Sequence, residues 1–171
     1  NIDFSKEQIN KEIEVIEKSG KCLNPVTLKK DSTVFYCEFD DWRSGFFPGS
    51  VWYLYQLTGD STYLPLAKKY TKAIEEAKNL EWHHDVGFIV ECSFGNGLKV
   101  TADPQYKDVI IKTAKSLSTR FRKAPGIIQS WNVDKGWQSE RGWECPVIID
   151  NMMNLELLFN ATKLSGDSTF Y

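Results

Sequence analysis

Three short segments set the limits on how this chain can fold. LTGDSTYL (residues 57–64), VTADPQYK (100–107) and LSGDSTFY (164–171) share one pattern: Ser or Thr, Gly or Ala, Asp, Ser or Pro, any residue, aromatic. The small residue lets one helix stop. The Asp accepts backbone N–H bonds at the head of the next helix, and Ser or Pro suits the first helical position. Each copy therefore predicts a tight helix-to-helix turn, and the repetition predicts helix pairs along the chain.

The helices on either side of these turns differ in kind. Those that follow, over 61–80 and 103–123, carry Lys, Arg and Glu on one face and residues such as Tyr106, Ile110, Thr113, Leu117 and Phe121 on the other. They read as amphipathic surface helices, as does the opening segment 5–20 with Ile9, Ile13 and Ile16 on one stripe. Those that precede the turns, over 44–57, 85–100 and 146–164, hold few charges and are apolar nearly all round, so they must be buried. A last outer helix is expected to begin at Ser168. Alternating outer and inner helices predict an all-α fold, an α/α toroid of two concentric rings. Residues 1–171 then form a single domain that is only half a ring. The inner faces need a missing half, self-association or another partner to cover them, and the natural protein is expected to be longer.

Composition narrows the function. With 42% hydrophobic and 13% aromatic residues and no segment of transmembrane length, the chain reads as one soluble domain. A net charge of -2 without a basic stripe argues against nucleic acid as a partner. Cys22, Cys37, Cys92 and Cys145 are spaced too widely for a zinc ribbon or a C-x-x-C pair, and their even number only permits disulfides.

Inner helices that all return through an outer helix run parallel, so their N-terminal ends share one mouth of the ring. Those ends carry Asp40, Asp41, Trp42 and Arg43; Trp82, His83, His84 and Asp85; and Asp150, Asn151 and Asn154. A long loop before the last inner helix adds Trp131, Trp137 and Trp143, and long loops are often functional. On a helical wheel, Glu156, Asn160 and Lys163 mark the solvent face of 146–164, with Asp150, Asn151 and Asn154 roughly opposite. An inward carboxylate is costly unless it is hydrogen-bonded or lines a wet cavity. Asp150 and Asp85 are each either plain N-caps or site carboxylates. The adjacent histidines are a poor metal pair, and no metal is expected. The tryptophans fit a core or a platform for sugar rings. Arg43 is an anion contact, or a surface Arg paired with Asp40 or Asp41.

DWRSGFFPGSVWYLYQLTGD, HHDVGFIVECSFGNGL, TAKSLSTRFRKAPGIIQSW and PVIIDNMMNLELLF, in that order from about Asn24 onward, resemble the unsaturated glucuronyl hydrolases, glycoside hydrolase family 88. The resemblance implies an (α/α)6 barrel of which this chain is the N-terminal half. It implies Asp150 as catalytic acid/base and Asp85 as the second essential carboxylate, with Trp42, His84 and Trp131 lining the sugar site. Asn151, beside Asp150, and Arg43 complete the expected substrate-binding set. The family hydrates the C4=C5 bond of the non-reducing uronate in oligosaccharides left by polysaccharide lyases, glycosaminoglycan products above all. No cofactor, nucleic acid or membrane is implied. The chemistry asks for a raised carboxyl pKa at Asp150, which Ile149, Met153, Leu157 and an ionised Asp85 are expected to provide. The competing readings are an inverting glycosidase or polysaccharide lyase on the same toroid, and a non-catalytic fragment that binds carbohydrate or protein. A start at Asn1 rather than Met, and the family's work behind secreted lyases, favour a periplasmic or exported protein over a cytoplasmic one.

Overall fold

Seven helices and two short hairpins follow one another in the computed structural model, which describes residues Asn1–Tyr171. Helix α1 (Ile2–Ser19) leads into the antiparallel hairpin β1 (Asn24–Leu28) and β2 (Val34–Cys37), then α2 (Phe46–Thr58) and α3 (Tyr63–Ala73). Helix α4 (Val86–Val90) continues through one π-helical turn (Glu91–Gly95) into α5 (Asn96–Thr101), and a tight turn leads to α6 (Pro104–Ser118). After the hairpin β3 (Phe121–Arg122) and β4 (Ile127–Ile128) comes a long loop with one 3-10 segment, and then α7 (Asn151–Ser165). No helix is long and apolar enough to cross a membrane.

The three repeated turns are alike atom by atom. Gly59, Ala102 and Gly166 end their helices in the left-handed conformation, at φ 68°, 54° and 75°. Thr58, Thr101 and Ser165 then accept the N–H of the following Asp, at 3.2, 3.2 and 3.0 Å. Asp60, Asp103 and Asp167 in turn accept the N–H two residues on, at 3.0, 2.9 and 2.9 Å. Local chemistry alone specifies this geometry, because every partner lies within two residues.

Inner and outer helices alternate as expected. Ile74, Val86, Ile89, Val90, Phe94, Ile110, Leu117 and Leu157 form one core between α4, α6 and α7. Ile13, Ile16, Val51, Trp52, Ala67 and Tyr70 form a second between α1, α2 and α3. The inner helices touch backbone to backbone: a Cβ on Gly49 would lie 2.7 Å from the Cys92 carbonyl oxygen, and one on Gly87 would lie 2.6 Å from Asn154 Oδ1. Contacts advance together along the pairs, from Gly87–Asn154 to Glu91–Asn160, so the inner helices run parallel. The fold is an arc of an α/α toroid.

Several boundaries differ from the sequence reading. The outer segment 61–80 is α-helical only to Ala73 and finishes in a 3-10 turn, and 103–123 stops at Ser118 so that Phe121 can enter a hairpin. The inner segment 146–164 begins at Asn151, because the strand-like stretch before it is tied across the chain: Ser130 N–H donates to the Pro146 carbonyl at 2.9 Å and Ser130 Oγ accepts the Ile148 N–H at 3.1 Å. Residues 168–170 form a 3-10 turn capped by Asp167, where the last outer helix is expected to begin. Ile149 and Met153 are exposed at 89% and 62%, so of the three apolar neighbours expected to surround Asp150 only Leu157 is buried. Ile149 lines an apolar groove of about 1050 Å³ together with Ile127, Met152, Leu155, Phe159, Phe170 and Tyr171, among others.

Candidate active site

The heads of the three inner helices meet at one rim, as parallel packing requires. Trp42 lies in the turn before α2, His83, His84 and Asp85 lead into α4, and Asp150 leads into α7. Trp42, Trp82, His83, His84, Asp85, Trp131, Asn132, Lys135 and Gln138 line a cleft of about 380 Å³ there, with Ser130 and Gly136. Trp131 packs against both Trp137 and Trp143, with ring centroids 5.1 and 6.0 Å away, and this cluster braces the outer wall.

Both carboxylates occupy N-cap positions, yet neither side chain makes a capping bond. Asp85 turns inward instead. Its Oδ1 accepts from Asn154 Nδ2 at 3.2 Å, while its Oδ2 lies 3.3 Å from His84 Nε2. Asp150 Oδ1 is buried with no protein partner. Donor atoms of His84, Asp85 and Asp150 all lie within 4.8 Å of one another, a spacing that two carboxylates and an imidazole could also offer to a divalent cation.

The electrostatics follow from burial. Asp85 is pushed up to about 6, first by burial and then by the charge of Asp150, with Asn154 and Arg120 pulling the other way. Burial also raises Asp150, partly offset by the amides of Asn151 and of Asp150 itself. His83 and His84 are each lowered to about 4, again chiefly by burial. They are neutral imidazoles at physiological pH, and their closeness to Asp85 is not ion pairing. His83 Nδ1 accepts the Asp85 N–H at 3.1 Å, which leaves its proton on Nε2. His84 is 2% exposed, with Nε2 3.3 Å from Asp85 Oδ2 and the Asn151 side chain close to its ring.

The other expected residues divide. Trp42 and Trp131 line the cleft. Asn151 lies outside the cleft lining, on the wall of the apolar groove; it is buried, donates from Nδ2 to the Ile128 carbonyl at 2.9 Å, and favours the protonated form of the neighbouring His84. Arg43 lies outside the cleft lining. Its guanidinium is held by both oxygens of Asp41, at 2.8 and 2.7 Å, and stacks 5.7 Å from the Trp42 ring centroid. The surface-pair alternative for Arg43 is thus the one the geometry supports, and its effect on the cleft runs through Trp42.

Two residues at the site lay outside the expected catalytic and substrate-binding set. Asn154 joins the pair: besides Asp85, it reaches the Asp150 carbonyl from Nδ2 at 3.4 Å and accepts the Phe88 N–H at 3.0 Å. Its inward place on the wheel was the available signal. Arg120, in a stretch that reads as charged surface, is 2% exposed behind the cleft, and nothing local marked it as buried.

No family model matches the chain. An unsaturated glucuronyl hydrolase of Formosa agariphila is 52% identical over 132 residues, which are 77% of this chain and 32% of that protein. Over that stretch the chain is similar in sequence to the unsaturated glucuronyl hydrolases. A second relative with that name, from Bacillus sp. strain GL1, is 34% identical over 76% of this chain and 34% of its own length. Among solved structures, an unsaturated glucuronyl hydrolase described as specific for heparin superposes with a TM-score of 0.80 at 35% identity, over 99% of this chain and 45% of its own. The chain thus spans about a third of the length of the curated relatives it matches. The superposition agrees with the partial α/α toroid described above.

Proposed function

We propose that this chain forms half of the catalytic ring of an enzyme that hydrates the C4=C5 double bond of an unsaturated uronate at the non-reducing end of an oligosaccharide. Oligosaccharides released from glycosaminoglycans by lyases are the substrate class, in keeping with the names of the relatives. One observation carries the reading: Asp85 lines a tryptophan-walled cleft, an Asp150 oxygen lies within 4.8 Å of its carboxylate, and neither residue is used as a cap.

In this reading Asp150, protonated, gives its proton to C4, and positive charge develops over C5 and the ring oxygen. Water adds at C5 and returns a proton to the Asp150 carboxylate, so the residue ends as it began. The hemiketal formed at C5 opens, and the sugar is released. Asp85 stays ionised to face the developing positive charge or to orient sugar hydroxyls. Burial raises both carboxyls, and the Asn154 donor favours the ionised form of Asp85. Trp42 and Trp131 offer faces for the sugar rings, and neutral His84 stands against Asp85 in the cleft wall. Asn151 supports His84, and Arg43 supports Trp42.

The apolar groove beside α7 is the natural seat for the helices that complete the ring in the full-length protein. In the isolated chain a second copy would cover it, so self-association is expected in solution.

The reaction is tested by incubating the full-length protein with unsaturated disaccharides and following the ultraviolet absorbance of the conjugated double bond. Hydration abolishes that absorbance, whereas a lyase would create it and an ordinary glycosidase would leave it unchanged. Persistence of the absorbance with every unsaturated disaccharide tried would sink the proposal.

A further inference from the structure

Arg120 is a buried cation whose hydrogen bonds all end on neutral oxygens. It is 2% exposed; Nε donates to the Gln129 carbonyl at 2.7 Å, Nη2 to the Ser130 carbonyl at 3.1 Å, and Nη1 to the Glu81 carbonyl at 3.3 Å and Asn132 Oδ1 at 3.1 Å. Desolvating a guanidinium costs several kcal/mol, and carbonyl dipoles offset this without cancelling the charge. A neutral side chain would tie loops together more cheaply. The acceptors belong to the two walls of the cleft: Glu81 opens the segment that carries Trp82 to Asp85, and residues 129–132 carry Trp131.

We infer that Arg120 is a positioning residue for this cleft: its guanidinium fork sets the gap between the two walls, and its unpaired positive charge compensates the carboxylate charge carried between them. The inference rests on the reaction proposed above for Asp85 and Asp150. Asn154 and His84 contact Asp85, His83 and Asp150 stand close by, the charges of Asp41 and Arg120 also act on it, and Lys135 shares the cleft lining. Arg120 is the cation whose charge acts on Asp85 at neutral pH, since both histidines are uncharged there. It opposes the upward push that burial, Asp150 and Asp41 exert on Asp85, and it helps to keep both histidines neutral.

Two substitutions in the full-length protein separate the fork from the charge. Arg120→Lys keeps the charge and loses the fork. It is expected to raise KM for an unsaturated disaccharide about tenfold, to weaken the near-ultraviolet circular dichroism of the Trp131, Trp137 and Trp143 cluster, and to leave the acid limb of kcat/KM in place. Arg120→Met loses both. Ionising Asp85 becomes harder, so the acid limb is expected to move to higher pH by roughly one unit. Arg120→Gln gives the same neutral comparison if the Met variant does not fold. A Lys variant with wild-type KM and wild-type near-ultraviolet signal overturns the positioning role, and coincident acid limbs in the Lys and neutral variants overturn the charge role. The dichroism needs no turnover, so a wild-type protein inert toward unsaturated sugars would refute the reaction while leaving the loop-positioning comparison decisive.

Discussion

Five of the aspartates that lead into helices in this protein meet opposite fates. At the outer turns Asp60, Asp103 and Asp167 each accept a backbone N–H two residues on. At the inner heads Asp85 and Asp150 accept no such bond, although each is the N-cap of its helix as Asp103 is of α6. The pKa directions divide the same way. Hydrogen bonds from Thr62 and Thr169 hold Asp60 and Asp167 below the usual carboxylate range, whereas burial lifts Asp85 and Asp150 above it. A carboxylate with local donors is structural and content to be ionised. One deprived of them in a half-buried rim keeps its proton more readily and has oxygen atoms to spare for a ligand.

The hardest test of this division is Asp150→Asn. Turnover of unsaturated disaccharide by the full-length protein is expected to fall about 10³-fold, the range for a lost acid–base group, with no loss of thermal stability. Near-wild-type rates would return Asp150 to the structural group.

Asp85→Asn should expose the same division in stability. The folded pKa of about 6 lies above the ordinary value of 3.8, so the unfolded chain ionises first as pH rises. Stability is therefore lost between those two values, and the whole penalty is present above the higher one. The amide removes the penalty, and the variant should gain up to about 3 kcal/mol near pH 8, a gain that vanishes below about pH 4. Urea midpoints at the two pH values measure it. Activity should fall about 100-fold or more. Asp60 carries the opposite sign: its depressed pKa stabilises the fold above the unfolded value, and that contribution fades as pH falls through the folded one.

How much could be read in advance follows from where each residue's partners lie. The outer turns were fully legible, because Asp103 bonds to Thr101 and Gln105 beside it in sequence. The inward side of the last inner helix was legible from periodicity, since Asn151 and Asn154 are buried while Glu156 and Lys163 are exposed. Its starting residue was not, because Ser130 pins the approach from far along the chain. Arg120 was hidden for the same reason, as its acceptors lie at Glu81 and at 129–132. The hairpin β1–β2 left a signal that went unused: NPVTL and TVFYC flank a short polar turn in which Ser32 takes φ 64°. At the site, the wheel turned Asp150 inward but could not choose between cap and carboxylate. That choice needed the missing capping bond.

Two glycines offer a finer contrast between packing and positioning. A Cβ at Gly87 would lie 2.6 Å from Asn154 Oδ1 and 2.7 Å from its Cα, and Asn154 holds Asp85. A Cβ at Gly49 would press equally hard on the Cys92 carbonyl, 2.7 Å away, with no site residue behind it. Gly87→Ala and Gly49→Ala should each cost about 1–3 kcal/mol of stability. Only Gly87→Ala should also lower kcat in assays well below its unfolding temperature. Equal kcat losses in the two variants would mean that general strain, and not displacement of Asn154, governs the site.

The smallest expected effect belongs to Asp103→Ala, and it closes the comparison from the structural side. Asp103 bonds the Gln105 N–H at 2.9 Å at the head of α6, an outer helix whose inner face carries Ile110 and Leu117 into the core. Removing the cap leaves one amide donor to water, with an expected loss of about 1 kcal/mol in urea unfolding. Turnover and its acid limb should stay at wild-type values, because the other contacts of α6 are unchanged and Asp103 is no part of the cleft lining. A shift of the acid limb in this variant would show that charge at the outer turns reaches the inner rim. The five aspartates would then form one electrostatic set rather than two.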